Sequence, residues 1–215
     1  MQVCLASTSP ARLMLLRQAG IEPLTIASDV DEDAAIASAE AEAGRQLTPE
    51  EHVLLLAQAK AAAVAAGMAE THPDFSGIVI GGDSMFALDG QIFGKPHTAE
   101  AATQRWLHMR GRSGVLHSGH SVLLMQQGAV VDAADDVAHA TVHFVADISD
   151  DEIAAYFATG EPLEVAGAFT VDSLGAAFID RVEGDPSTVV GMSLSTIRTL
   201  ASRLGISWPT LWNRL

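Results

Sequence analysis

Blocks of apolar and polar positions alternate along the chain in the order strand, helix, strand. Val3 to Ala6 is an unbroken apolar run of strand length, and Ser7-Thr8-Ser9-Pro10-Ala11-Arg12 turns it into a helix reaching about Gln18. Ser9 suits the N-cap, Pro10 the first turn and Gly20 the close. Pro23 to Ala27 predicts a second strand. Ser28 to Asp33 predicts an acidic loop, and the alanine-rich acidic stretch around Asp33 to Gly44 is the only low-complexity material. Thr48-Pro49-Glu50-Glu51 is a capping box opening a helix to Gly67, with Val53, Ala57, Lys60 and Val64 on one stripe. Gly77-Ile78-Val79-Ile80 reads as a strand covered on both faces, stopping at Gly81-Gly82-Asp83-Ser84.

Asp89-Gly90, between Met85 to Leu88 and Gln91 to Phe93, is a two-residue hairpin signal. Thr98 begins a helix to Gly111 that turns Ala102, Trp106 and Met109 inward. Val115 to Met125 and Val130 to Val145, joined through Gln126-Gln127-Gly128, predict an antiparallel pair. Ser149-Asp150-Asp151-Glu152 is a second capping box, for a short helix to about Ala158. Glu161 to Ala168 reads as a loop, Ala176 to Asp180 as a strand, and Ser193 to Leu204 as a last helix with Leu194, Ile197, Ala201 and Leu204 inward.

The 215 residues allow one sizeable α/β domain or two small ones. Aspartate and glutamate outnumber lysine and arginine 27 to 12, a formal charge of −15, which argues against nucleic-acid or anionic-membrane partners. The single cysteine, Cys4, lies in the first apolar run and reads as a small core residue, so no internal disulfide forms and a reducing compartment is expected. Met1 to Ala6 has no basic lead-in to a long apolar core, and no apolar run approaches the ~20 residues of a membrane span; the expectation is a cytoplasmic protein.

Several residues carry chemistry, each with two readings. Gly81-Gly82-Asp83-Ser84 is either a plain turn or a sheet edge that presents Asp83 and Ser84 to a ligand crevice. Ser7, Ser9 and Arg12 at a helix start are either a capped terminus or an anion site. Lys60, on an apolar stripe, either meets an anion in a pocket or snorkels outward. Asp29, Asp31, Glu32 and Asp33 either form a solvated loop or hold a divalent ion. His117 with His120, and His139 with His143, lack a third ligand at zinc spacing and read as surface or interface histidines. Arg12, Lys60, Lys95 and Arg112 each adjoin a glycine, proline or hydroxyl element; if those loops converge on Asp83, the pocket suits a polyphosphate. Neither a Walker-type loop nor a Rossmann glycine fingerprint is present.

Taken in order, Ser7-Thr8-Ser9-Pro10-Ala11-Arg12, Ala57-Gln58-Ala59-Lys60-Ala61, Gly81-Gly82-Asp83-Ser84, Gly94-Lys95-Pro96, Gly111-Arg112-Ser113, Glu161-Pro162-Leu163 with Ala166-Gly167-Ala168-Phe169, and Gly184-Asp185 with Val190-Gly191 resemble the Maf family of nucleoside triphosphate pyrophosphatases over nearly the whole chain. The resemblance implies an inosine-triphosphatase-like α/β fold, an elongated mixed sheet flanked by helices. It also implies one domain, residues 1–215, with a nucleotide cleft between two lobes, a divalent Mg²⁺ or Mn²⁺, and a homodimer. On that resemblance Asp83 is the general base. Ser7, Ser9, Arg12, Lys60, Lys95 and Arg112 are phosphate-side residues, and Asp31, Glu32 and Asp83 serve the metal. Three positions associated with base choice depart from the family pattern: Ala11 replaces the first arginine of the serine-proline-arginine-arginine motif, Ser84 a threonine, and Asp172 a glutamine. Val165 also replaces a lysine. The expected reaction is hydrolysis of a nucleoside triphosphate, common or modified, to monophosphate and pyrophosphate. The losses at Ala11 and Val165 keep open a nucleotide-binding regulator of cell division with residual hydrolysis, and a phosphatase or nucleotide-sugar enzyme is a third use of the same pocket.

Overall fold

The computed structural model describes residues 1–94 and 98–214. Its strands are β1 (Gln2–Leu5), β2 (Leu24–Thr25), β3 (Gly77–Leu88), β4 (Gln91–Phe93), β5 (Ser113–Gln126), β6 (Ala129–Phe144) and β7 (Ile179–Gly184). Its helices are α1 (Pro10–Gln18), α2 (Glu32–Ala43), α3 (Pro49–Thr71), α4 (Ala99–Met109), α5 (Asp150–Ala158), α6 (Pro186–Val190) and α7 (Leu194–Arg203). The strands make a seven-stranded sheet in the order β2-β1-β3-β5-β6-β7, with β4 paired to β3. β1 runs parallel to β2 and β3, whereas β4 is antiparallel to β3 and β7 to β6, so the expected mixed α/β fold is present.

Two compact units divide the chain. The first comprises Met1–Asp83, Ser118–Ala138 and Gly191–Leu215. Its core sets Cys4 and Val79, from neighbouring parallel strands, against Val64, Ala65 and Met68 of α3. Burial pushes the Cys4 thiol up to about 12, as suits an inert core residue. α3 is long and apolar enough, with a mean hydropathy of 1.4, to pass for a membrane span. Its alanines raise that mean although its unbroken apolar run, Ala61 to Ala69, is far shorter than a span, and here Val53, Leu56, Ala57, Ala61, Val64, Ala65 and Met68 are buried in the unit.

The second unit comprises Ser84–His117 and His139–Val190. It is built on aromatic side chains: Trp106 of α4 meets Phe144, Tyr156 and Phe178 edge-on at 5.5 to 5.8 Å, and its indole N–H donates to the Ala168 carbonyl at 2.6 Å. Ala102, Trp106 and Met109 are fully buried, as their spacing predicts.

Both capping boxes form: Thr48 and Glu51 exchange side-chain and backbone hydrogen bonds at 2.8 and 3.2 Å, as do Ser149 and Glu152. The Asp89-Gly90 hairpin forms too, with both residues at positive φ. One stretch to which the sequence assigned no element has one, and three expectations are corrected. The acidic alanine-rich stretch is a helix, α2, capped by Asp31 and closed by Gly44 at φ 66°. It buries no residue, so it has no apolar period to read; alanine and glutamate propensity make it. β3 does not stop at Gly81-Gly82 but continues through Asp83 to Leu88, twelve residues in all. β2 is only Leu24–Thr25. The strand expected at Ala176 to Asp180 is a 3₁₀ turn, Leu174–Phe178, followed by β7.

Candidate active site

The glycines inside β3 decide how the first unit builds its polar centre. A Cβ on Gly81 would lie 2.2 Å from the Ala57 carbonyl oxygen, so its absence lets the backbone of α3 rest on the strand. That contact brings Lys60, one turn beyond Ala57, over Asp83, which shares a strand face with Gly81. Gly82 points the other way, toward the Arg12 guanidinium, whose Nε lies 3.6 Å from where a Cβ would be, an ordinary contact distance.

Lys60 joins two acids. Its Nζ donates to Asp83 Oδ1 at 2.7 Å and pairs with Glu32 Oε1 at 2.8 Å. The Lys60 and Asp83 side chains are 10% and 13% exposed, and Glu32 is 50% exposed, so the lysine head does not snorkel; it is held inside by charge. Glu32 is the first residue of α2, and Asp31 Oδ1 accepts from the Ala34 N–H at 3.0 Å. The acidic pair therefore divides its work, Asp31 starting the helix and Glu32 meeting the lysine.

Arg12 enters from α1. β1 and β3 are parallel with Leu5 opposite Ile80, so Ser7 to Arg12 leave the sheet on the edge toward which β3 carries Asp83. Ser9 caps α1, its hydroxyl accepting from the Arg12 N–H at 3.4 Å, and Ser7 Oγ accepts from Ser9 N and Arg12 Nη1 at 3.1 and 3.3 Å. Arg12 Nε donates to the Gly191 carbonyl at 2.9 Å. Burial pulls the guanidinium below its ordinary value, and the charges of Asp83 and Glu32 work in the opposite direction. Beside this group a cavity of about 240 Å³ is lined by Ser7, Thr8, Ser28, Asp29, Glu32 and Lys60. It offers hydroxyls and one ammonium to an anionic ligand, and Glu32 is a hard oxygen donor on its wall, with Asp83 behind the shared Lys60.

Ser7, Ser9, Arg12, Glu32, Lys60 and Asp83 thus come together within one unit. Ala11 is half-buried in the first turn of α1. Ser84 follows Asp83 in β3 and is half-buried, and Asp172 lies on an exposed bend of the second unit. In that unit Arg112 pairs with Asp89 and contacts His108. Lys95 lies outside the described residues.

Three features escaped the sequence. His120 is fully buried rather than a surface histidine, and its Nε2 accepts from the Ser193 backbone N–H at 2.9 Å. His139 packs edge-on against His117, 4.8 Å between ring centroids, while His143 faces Glu183 and Arg181, cross-strand contacts that spacing along one strand does not report. Glu161, read as a loop residue, accepts from Tyr156, Thr170 and Ser173 hydroxyls at 2.5 to 3.0 Å and from the Leu174 and Gly175 N–H groups. Burial alone opposes its ionisation, and the hydrogen bonds together outweigh burial and bring its carboxyl down to about 2. Those donors sit between nine and fourteen residues downstream, apart from Tyr156, a separation no local pattern reports.

The family model described as Maf-like protein matches residues 2–204. A nucleoside triphosphate pyrophosphatase of Leifsonia xyli subsp. xyli is 58% identical over 214 residues, covering 100% of this chain and 98% of that protein. One of the same name from Nocardia farcinica is 50% identical over 208 residues, covering 97% and 95%. The Ham1 protein of Staphylococcus aureus aligns at a TM-score of 0.36 and 12% identity over 68% of this chain and 73% of that one, a likeness too slight to bear on the fold.

Proposed function

This chain belongs to the Maf-like protein family, and from that membership we propose that it is a nucleoside triphosphate pyrophosphatase, cleaving between the α- and β-phosphates to release a nucleoside monophosphate and pyrophosphate. The observation that carries the chemistry is the Lys60 ammonium held between Asp83 and Glu32, in the field that those two acids share with Arg12.

Arg12, Ser7 and the amino-terminal end of α1, started by Ser9, receive the phosphates, with Lys95 and Arg112 as further phosphate-side residues. Lys60 hydrogen-bonds Asp83 Oδ1 and fixes the carboxylate's orientation, so that Oδ2 is the oxygen presented to water. Asp83 takes a proton from that water as its oxygen attacks the α-phosphorus. The bond from phosphorus to the α–β bridging oxygen breaks, pyrophosphate leaves with the electron pair, and the proton passes to solvent. Positive charge on Arg12 and Lys60 opposes the negative charge that builds on the phosphoryl oxygens. Glu32 and Asp83, with Asp31 placing Glu32, fit a divalent cation by their donor chemistry; Mg²⁺ or Mn²⁺, when bound, supplies further neutralisation of the phosphates. Ala11, Ser84 and Asp172 are the positions assigned to base choice. The same reading carries a homodimer in the cytoplasm; it has no nucleic-acid or membrane partner, and the charge of −15 supports that last part alone.

Chromatography of the products from a panel of common and modified nucleoside triphosphates with Mg²⁺ or Mn²⁺ tests the reading. Monophosphate and pyrophosphate are expected, and the base turned over fastest defines specificity. Diphosphate with orthophosphate would make the protein a phosphatase, and binding without product would make it a nucleotide-binding regulator.

A further inference from the structure

The carbonyl that holds Arg12 belongs to a segment with its own buried support. Gly191 stands at φ 126°, a conformation suited to glycine, and presents its oxygen to Arg12 Nε at 2.9 Å. Ser193 then caps α7, its hydroxyl accepting from the Thr196 N–H at 3.1 Å and donating to Thr196 Oγ1 at 2.9 Å. The Ser193 backbone N–H is spent on His120 Nε2 of β5, at 2.9 Å. Ser118, two residues before His120 on the same strand face, sets its hydroxyl 3.3 Å from the Asp83 carbonyl oxygen and 3.4 Å from both Gly191 O and His120 Nε2. His120, Ser118 and Ser193 are each at 0% exposure.

An imidazole nitrogen accepts from an N–H only while it keeps its lone pair, so the geometry requires the neutral ring with its proton on Nδ1. The helix cap accounts for the Ser193 hydroxyl. It does not account for a buried histidine at the backbone of the segment that reaches Arg12. A guanidinium is a rigid planar fork, so fixing Nε on one carbonyl sets the direction of its remaining N–H groups.

We propose that His120 is a positioning residue for the phosphate-binding arginine: through the Ser193 N–H it fixes the Gly191 carbonyl, and that carbonyl orients Arg12. The proposal rests on the pyrophosphatase reading for its consequence on turnover but not for its geometry. Gln retains an acceptor near the place of Nε2, whereas Met fills similar space without one.

Nitrogen-15 NMR of the wild-type protein, with the His120 signals identified by their loss in His120→Gln, should show the neutral Nδ1–H tautomer; a proton on Nε2 overturns the proposal even if no variant folds. Solvent exchange of the Arg12 Nε–H, identified with Arg12→Lys, should be slow in wild type and His120→Gln and at least tenfold faster in His120→Met, or in His120→Leu if the methionine variant is unfolded. Exchange unchanged by the apolar variant overturns the proposal. In steady-state assays the apolar variant should raise KM for the nucleotide about tenfold with a smaller change in kcat, His120→Gln should restore it, and in an Arg12→Lys background the effect should shrink below twofold. A full tenfold effect in that background means His120 does not act through Arg12. Wild-type protein without turnover defeats the pyrophosphatase reading alone, and the two NMR measurements then decide the positioning role.

Discussion

Lys60 shows what one side chain decides in the first unit. A lysine in an apolar helix stripe costs several kcal/mol unless its charge is met, and here two carboxylates meet it. Replacing it by methionine leaves Asp83 and Glu32 facing each other without the cation between them. Lys60→Met is expected to lose about 3–5 kcal/mol in chemical denaturation. In an Asp83→Asn background the same change should cost markedly less, because one charge has gone; an equal cost in both backgrounds would show that the bridge is not the source. Asp83→Asn itself should stay folded and bind nucleotide while turnover falls roughly a hundredfold or more, the scale of losing a general base. Near-wild-type turnover removes Asp83 from the mechanism. The residue types at these positions were legible from the sequence, as was the conflict at Lys60. Its partners were not, because Glu32 and Asp83 are distant in sequence and are brought together only by where α2 starts and how closely α3 lies on β3.

Among elements, the seating of α3 on β3 depends on a missing methyl group. Gly81→Ala would drive a Cβ to 2.2 Å from the Ala57 carbonyl, against backbone that cannot swing aside. Thermal or denaturant unfolding should show a loss of about 3 kcal/mol, or no folded protein. Gly82→Ala is expected to stay close to wild type in stability, since its nearest contacts begin at 3.5 Å. Similar loss of stability in both variants would contradict this seating. The turns around Glu161 make a separate, pH-dependent element of the second unit. Its carboxyl falls from an ordinary 4.5 to about 2 on folding. The stabilisation is therefore fully present above about pH 4.5 and is lost as pH drops toward 2. Glu161→Gln should cost about 1–3 kcal/mol near neutral pH. The gap between the two proteins should narrow in melts taken at successively lower pH below about 4.5, and a gap still undiminished at about pH 2.5 would place the effect outside ionisation.

At the scale of the whole molecule, charge is the property that acts at a distance. Arg12 and Lys60 are balanced locally by Asp83 and Glu32, so a polyanionic substrate approaching from afar meets the formal charge of −15 rather than a cationic funnel. With the screening length near 10 Å at about 0.1 M salt, raising ionic strength from about 0.01 to 0.1 M should increase kcat/KM severalfold. A steady fall with salt would show that local cations steer binding.

The sequence by itself determined the elements whose signals are local. Both capping boxes, the Asp89-Gly90 hairpin, the inward face of Trp106 and the Ser9-capped α1 follow from neighbours within a few positions, where sterics and hydrogen bonding act whatever the rest of the chain does. Ordered motifs likewise carried the family. Only the tertiary structure decided that Gly81 is a point of close approach inside a strand rather than its end, that a helix with no buried face delivers Glu32 to Lys60, and that a buried His120 meets the Ser193 N–H, two residues from the carbonyl on which Arg12 rests. The reason is that a glycine records only a missing side chain, and a buried polar group records only a need for a partner. What fills the space and which partner answers are fixed by the packing of segments far apart along the chain.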